Sequence, residues 1–272
     1  MRNDVEYKTR GSMKLTKAVI TAAGRGSRMW EITKVLPKAL IPVYGVSNRA
    51  KVLIPIIDLS MGSLSKAGIK EFCIVAGDRH DVLEEHLKGS TLGKVSFESQ
   101  REPKGFGAAV LEAEKFAGKD PFVLNTDDIA MTSGYDVIVK LFEKLDADAV
   151  FFMREVGNPK RYGVVEGTEE DGFMGHRVFR VTGVEEKPDD PKSNMVIVGL
   201  YAFSHRIFKA LKDSQHSGPL ELTVGIERLI KAGANVHGIL LTDEVPLNVG
   251  DPDSYFKALS YTYEKAEKVL KL

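Results

Sequence analysis

The feature that most constrains the fold stands near the head of the chain, where the apolar run at residues 17–23, KAVITAA, stops abruptly at Gly24-Arg25-Gly26-Ser27. An apolar run this short, ended by glycine, predicts a strand buried on both faces. Such strands belong to parallel sheets covered by helices. The following segments keep to that plan. Apolar residues at helical spacing over 52–67, closed by Gly68, predict a helix, and 71–76 predicts a second buried strand with a helix over 81–87. Strands at 94–98, 121–126 and 147–153 then alternate with helices at 108–116 and 135–145. The alternation predicts an α/β fold: a Rossmann-like mixed, mainly parallel sheet flanked by helices.

Beyond Tyr162 the texture changes. Shorter alternating runs at 163–166, 178–185 and 195–203 predict antiparallel or mixed strands. Helices are expected again at 206–211, 220–232 and 252–272, with a strand at 236–241. Neither a Pro/Ser-rich linker, a low-complexity stretch nor an internal repeat divides the chain, so residues 13–272 read as a single domain. Its expected parts are a first half over about 13–154, a second over about 155–251 and a C-terminal helix at 252–272. Residues 1–12 are polar and aperiodic and read as a flexible N-terminal extension or an expression remnant.

Composition removes several function classes. The 38 Lys+Arg are balanced by 38 Asp+Glu, which argues against nucleic acid or an anionic membrane as partner. A lone Cys73 makes neither an internal disulfide nor a thiolate metal cluster and suits a reducing cytoplasm. No uncharged apolar run approaches the ~18 residues of a membrane span, and the first residues lack the apolar core of a signal peptide.

Four segments can carry chemistry. After the first strand, Ala22-Ala23-Gly24-Arg25-Gly26-Ser27-Arg28 precedes Leu36-Pro37-Lys38. Small residues let backbone N–H groups approach phosphate oxygens, and Arg28 and Lys38 add positive charge; the plain alternative is a tight turn. A P-loop would need Gly-Lys-Ser/Thr, which is absent, and the dinucleotide pattern Gly-x-Gly-x-x-Gly lacks its third glycine, which counts against a nicotinamide oxidoreductase. In the second segment, Gln100 offers an amide donor and acceptor for a base edge, and Gly105 and Gly107 permit close backbone approach; otherwise this is a loop entering a helix. The third, Phe122-Val-Leu-Asn-Thr-Asp127-Asp128, ends an apolar strand in paired carboxylates. These suit Mg²⁺, a hard cation that takes oxygen ligands. One of the two is expected to cap the following helix while the other faces the site. In the fourth, Val184-Glu185-Glu186-Lys187-Pro188, the acids can accept hydrogen bonds from sugar hydroxyls and the lysine can neutralise a phosphate; the alternative is a charged strand end.

Taken in order from about Lys17 to Tyr255, these segments resemble the sugar-1-phosphate nucleotidyltransferases, which join a sugar phosphate to a nucleoside triphosphate and release pyrophosphate. The family's opening signature, Ala-Ala-Gly-x-Gly-x-Arg followed by Pro-Lys-x-x-x-Pro-Val, stands here as residues 22–28 and 37–43. Within the family the chain is similar to bacterial-type UTP–glucose-1-phosphate uridylyltransferases. That similarity rests on Gln100 with Lys104-Gly-Phe-Gly107, on Glu186-Lys-Pro188, on residues 191–201 and on Pro219-Leu-Glu-Leu-Thr223. Thymidylyltransferases share most of these features.

The resemblance implies the nucleotide-diphospho-sugar transferase type of Rossmann-like sheet, with a nucleotide-binding first half and a sugar-phosphate-binding second half. It implies backbone contacts to the nucleotide at Ala22, Ala23, Gly24 and Gly26, and reading of the pyrimidine by Gln100 and Gly105. Arg28 and Lys38 would hold the triphosphate and the transition-state charge. Asp127 would bind Mg²⁺. Gly163 and Glu186 would bind sugar hydroxyls, and Lys187 the sugar phosphate. The implied partners are UTP or dTTP and a hexose 1-phosphate, glucose 1-phosphate first, with assembly as a homodimer or homotetramer.

Three positions depart from the family pattern. Asn248 stands where a second metal-binding aspartate is usual, so that either metal binding is weaker or Asp251 or Asp128 compensates; residues 46–50 look like a short insertion; and Glu31 replaces a common proline beside Trp30. Asn248 also motivates a reading of another class, a catalytically weak homologue that senses nucleotides or sugar phosphates. Intact Arg28, Lys38, Asp127 and Lys187 count against it.

Overall fold

The structure is a computed structural model that describes residues 14–77, 80–214 and 218–271. The expected N-terminal extension at 1–12 lies outside the described residues. The strands are β1 (Lys17–Ala22), β2 (Pro42–Ser47), β3 (Ala50–Pro55), β4 (Glu71–Ala76), β5 (Lys94–Ser99), β6 (Phe122–Thr126), β7 (Ile129–Met131), β8 (Ala149–Glu155), β9 (Gly163–Phe173), β10 (His176–Glu186), β11 (Met195–Phe203), β12 (Val236–Leu240) and β13 (Pro246–Asn248). The helices are α1 (Glu31–Val35), α2 (Ile56–Lys66), α3 (His80–Leu87), α4 (Phe106–Glu112), α5 (Glu114–Ala117), α6 (Tyr135–Leu145), α7 (Arg206–Lys212), α8 (Leu222–Lys231) and α9 (Pro252–Leu270).

Nine of these strands form one sheet in the order β5-β4-β1-β6-β11-β8-β12-β10-β9. The β5–β4, β4–β1, β1–β6 and β8–β12 pairs are parallel, whereas β11 and β10 run antiparallel to their neighbours. The mixed, mainly parallel α/β sheet expected from the sequence is thus present. Alternate residues of each central strand face opposite layers: Ala18 and Ile20 of β1 join Phe72 and Ile74 of β4 in a core under α2, α3 and α6. Val19, Cys73 and Val75 point into a second core under α4, α7 and α8. This two-sided burial is why the strands read as continuous apolar runs. Among the described residues no helix is long and apolar enough to cross a membrane.

The expected helix over 52–67 is corrected. Residues 52–55 belong to β3, which pairs antiparallel with β2 in register Ser47↔Ala50, and the helix starts only after Pro55. Asn48 and Arg49 both take positive φ, 48° and 59°, so the supposed insertion is the two-residue turn of this hairpin. The β-branched Val52 and Ile54 suit a strand, and proline is tolerated at the start of the helix it precedes. Sequence periodicity alone does not separate a strand that runs directly into a helix from a longer helix. The helix expected at 108–116 is two short ones, α4 and α5, with a break at Ala113. A third cluster, including Met29, Val43, Ala130, Val249 and Ala258, lies where α9 packs against β2, β3 and β13.

Candidate active site

After β1 the chain builds outward through β4 to β5; after β6 it builds the other way, across β11 to β8. In an open α/β sheet the ligand crevice lies beyond the carboxyl ends of the strands where that order reverses. Ala22, Ala23 and Gly24 leave β1 at that point, and Asp127 and Asp128 leave β6 beside them, with the Asp127 N–H donating to the Thr21 carbonyl at 3.2 Å. A cavity of about 480 Å³ opens here, lined by Gly24, Arg28, Lys38, Gln100, Gly105 and Asp127 among others. Ala22 lines an adjoining pocket of about 190 Å³ together with Ala23, Gly24 and Lys38.

Gly26 shapes this loop from behind. Its φ of 62° is left-handed, its carbonyl accepts hydrogen bonds from Met29 N–H (2.9 Å) and Thr33 Oγ1–H (3.0 Å), and a Cβ would come 2.7 Å from Thr33 Cγ2. Gly24 instead faces the open side, where the nearest atom to an added Cβ is Lys38 Nζ at 3.9 Å.

Lys38 opens a short 3₁₀ turn after Pro37, which aims its ammonium at the end of β6. Nζ lies 2.9 Å from Asp127 Oδ1 and 3.2 Å from Asp128 Oδ2. Burial pushes the Asp127 carboxyl up to about 6, with the Asp128 charge adding to the rise and Lys38 opposing it. Burial works against the Lys38 ammonium too, but the two carboxylates outweigh it and hold its pKa above the usual lysine value. One cation therefore stands between two acids in a largely dry place.

The expectation that one of the pair caps a helix is corrected. The next element is strand β7, α6 has Gly134 at its N-cap, and both acids face Lys38. β7 pairs with β13 so that Ile129 stands opposite Asn248, and the Val249 N–H donates to the Asp128 carbonyl at 2.9 Å. This ribbon brings residues far apart in sequence to one point. A Cβ on Gly250 would lie 2.6 Å from Asp128 Oδ2, 3.0 Å from Asn248 Oδ1 and 3.4 Å from Arg28 Nη2, so only glycine leaves room for all three. Asn248 Oδ1 accepts the Gly250 N–H at 2.6 Å. Asp251 is committed elsewhere: it caps α9, accepting from Ser254 N–H at 3.0 Å and from the Ser254 hydroxyl at 2.9 Å. Asp128 is thus the acid that stands beside Asn248.

Gln100 follows β5 and is buried; its Nε2 donates to the Gly105 carbonyl at 3.2 Å. Gly105, at φ 105°, packs so tightly on the 219–221 segment that a Cβ would fall 2.4 Å from the Leu220 carbonyl oxygen. The contact fixes the two groups expected to read a base on one wall.

The remaining expected residues form a second cluster at the ends of β9 and β10. Gly163 pairs with Glu186 across the two strands. Glu186 Oε1 lies 2.8 Å from Lys187 Nζ, and its Oε2 accepts the Thr223 hydroxyl at 3.1 Å. Lys187 turns the chain at φ 45°, and its N–H donates to the Tyr162 carbonyl at 3.0 Å. The hydrogen bond to Glu186 raises the Lys187 pKa, while the Arg28 guanidinium works against it. Arg28 therefore lies within electrostatic reach of both clusters. Sequence reasoning missed Thr223 and Glu221 as site residues, although both lie in the Pro219–Thr223 segment that carried part of the resemblance. Burial and the nearby Glu186 charge raise the Glu221 pKa.

Among the described residues no three His, Cys, Asp or Glu side chains converge as a metal cage. The oxygen donors present are Asp127, Asp128 and Asn248 Oδ1, a sparse hard set beside an open cavity.

With this geometry in place, comparison with known proteins fixes the class. The sequence model of the nucleotidyl transferase family matches residues 17–265, so the chain belongs to that family. It is 32% identical over 230 residues to the glucose-1-phosphate thymidylyltransferase of Streptomyces griseus, covering 83% of this chain and 60% of that one. It is 30% identical over 242 residues to the UTP–glucose-1-phosphate uridylyltransferase AglF of Haloferax volcanii, covering 87% of this chain and 92% of that one. The chain spans about three fifths of the length of several curated relatives that it matches. In fold it resembles a crystal structure of UDP-glucose pyrophosphorylase complexed with UDP-glucose, with a TM-score of 0.79 at 24% identity over 92% of this chain and 99% of that one.

Proposed function

We propose that this chain transfers a nucleotidyl group from a nucleoside triphosphate to a sugar 1-phosphate, giving an NDP-sugar and pyrophosphate. UTP is the favoured donor and glucose 1-phosphate the first acceptor to test; dTTP is the runner-up donor, since the relatives named above include a thymidylyltransferase and a uridylyltransferase. The observation that carries the reading is the placement of Lys38 and Arg28 around the carboxylates at the end of β6, with Lys187 and Glu186 across the same cleft.

The chemistry suits these groups. A phosphate oxygen of the sugar 1-phosphate attacks the α-phosphorus in line, a P–O bond forms, and the bond to the β-phosphate oxygen breaks to release pyrophosphate. The nucleophile is already ionised at neutral pH, so no general base is required. What remains is alignment of two polyanions and compensation of charge. Lys38 and Arg28 stabilise charge on the triphosphate, Lys187 holds the acceptor phosphate, and Glu186 with the Gly163 backbone orients the sugar hydroxyls. Gln100 and Gly105 read the base.

Asp127 and Asp128, with the Asn248 carbonyl oxygen beside them, would hold Mg²⁺. Their donor set fits: Mg²⁺ prefers oxygen, keeps several waters, and uses one or two carboxylates together with substrate phosphates. Bound there, it would neutralise charge between the phosphates. Asp128 would supply the charge that Asn248 lacks, which weakens the case for a sensor without catalysis. A homo-oligomer in the cytoplasm, where the buried Cys73 stays reduced, completes the reading.

The test is pyrophosphate release by purified protein with Mg²⁺ across several nucleoside triphosphates and hexose 1-phosphates. Release that requires both substrates and Mg²⁺ supports the assignment. Nucleotide binding without release under any pairing would return the sensor reading.

A further inference from the structure

Beside the sugar end of the cleft lies a cavity of about 360 Å³ that the reading above leaves unused. Arg154 of β8, Tyr162, Ile197 of β11, Asn248 of β13, and Lys257 and Tyr261 of α9 line it. Asn248 joins it to the carboxylates and Arg28. Tyr162 and Ile197 join it to the sugar subsite: the Tyr162 carbonyl accepts the Lys187 N–H, and Ile197 Cδ1 lies 3.5 Å from the Cβ that Gly163 lacks. Tyr162 and Ile197 are thus a wall common to the expected sugar subsite and this cavity.

The cavity is electrostatically one-sided. Arg154 and Lys257 line it, and among the described residues no Asp or Glu does. Nor does either cation form an ion pair among the described residues; Arg154 rests 5.8 Å from the Tyr162 ring centroid. Lys38 and Lys187 of the cleft, by contrast, each face a carboxylate within 3 Å. Two cations without an ion pair lining one cavity mark a place for negative charge. An arginine braced on an aromatic ring presents its planar fork to a carboxylate in bidentate fashion.

We propose that the acceptor is an acidic sugar 1-phosphate, a hexose 1-phosphate oxidised to a carboxylate at the ring end away from its phosphate, with the carboxylate held by Arg154 and Lys257. The proposal rests on the nucleotidyl-transfer reading and narrows its acceptor. A neutral hexose fits the same subsite but leaves both cations to water.

The experiment compares glucuronate 1-phosphate with glucose 1-phosphate as acceptors for UTP and Mg²⁺, in the wild type, Arg154→Met and Lys257→Met. A charge-assisted hydrogen-bonded pair predicts a kcat/KM for the uronate at least about tenfold above that for glucose. Arg154→Met should erase that preference, and Lys257→Met should reduce it, while the rate with glucose 1-phosphate changes by less than about threefold. A wild type that prefers glucose, with Arg154→Met leaving both acceptors unchanged, overturns the proposal and leaves nucleotidyl transfer standing. An Arg154-dependent response to added inorganic phosphate, without uronate preference, would assign the cavity to a separate anion and likewise overturn it. Absence of pyrophosphate release with every sugar 1-phosphate would instead remove the nucleotidyl-transfer reading itself.

Discussion

The Lys38 ammonium lies 2.9 Å from Asp127 Oδ1, in a place dry enough that burial lifts the carboxyl to about 6. The lysine comes from the 3₁₀ turn after Pro37 and the aspartate from the end of β6, so their meeting ties the segment after β1 to the acid pair after β6. With Asp128 at 3.2 Å, the same ammonium serves two acids. An incoming polyanion brings charge of the sign Lys38 already attracts, which makes this residue the pivot of the site.

Lys38→Met and Asp127→Asn should each lower turnover by about 10²–10³-fold, the usual cost of losing one electrostatic contact to a reacting phosphate. Circular dichroism should stay native in both. Steady-state pyrophosphate release checks the rates, and wild-type turnover in either variant removes that residue from the mechanism.

Gln100→Ala should loosen base choice more than it lowers rate. Its amide is anchored on the Gly105 carbonyl, so the variant loses both the reading group and its brace. The ratio of kcat/KM for UTP over CTP should fall by about tenfold. An unchanged ratio contradicts the role.

Thr223→Val deletes the hydroxyl that donates to Glu186 Oε2. Thr223 is a positioning residue, and the expected effect is a rise of about three- to tenfold in KM for the sugar 1-phosphate with KM for the nucleotide unchanged. Thr223→Ser should restore the wild-type value, which distinguishes orientation of Glu186 from a packing defect.

Much of this site was legible before any coordinates. Strands buried on both faces announce themselves as apolar runs, and glycines, cations and acids at their ends mark the crevice. The neighbours of Asp128 and Thr223 are set by tertiary structure and are not legible in the sequence. The helix cap expected of one acid of the Asp127–Asp128 pair fails because strand β7 follows them and pairs with β13. Likewise, the end of β3 hid inside an apparent helix because β3 passes into α2 across Pro55 without an intervening loop. The cavity at Arg154 left no trace in sequence, since its walls come from strands and a helix that are far apart along the chain.

The β2–β3 hairpin supplies a stability prediction. Arg49 holds φ 59° without the freedom of glycine, at a position where the turn favours Asn-Gly. Arg49→Gly should stabilise the protein by about 1 kcal/mol, a rise of roughly 2–4 °C in Tm for a domain of this size. Thermal unfolding measures it, and a fall in Tm would contradict the turn assignment.

The pH dependence of stability should carry the signature of Glu244, which is buried against His176 and accepts the Thr242 N–H at 3.1 Å. Burial opposes its ionisation, but the hydrogen bonds from His176 and Thr242 outweigh burial and hold its pKa below the ordinary 4.5. The stability it contributes is therefore complete above that value and is lost as the pH falls through the folded-state pKa. Glu244→Gln should cost about 1–3 kcal/mol at pH 7, and the gap to wild type should narrow in acid. Urea unfolding at a series of pH values checks it; a gap independent of pH would contradict the assignment.

The central claim, attack of a sugar phosphate oxygen on the α-phosphorus, is tested most directly by following labelled oxygen. Glucose 1-phosphate carrying heavy oxygen in its phosphoryl group would be turned over with UTP and Mg²⁺, and both products weighed by mass spectrometry. All of the label is predicted in the NDP-sugar and none in pyrophosphate. Label in pyrophosphate, or unlabelled NDP-sugar, would contradict the account.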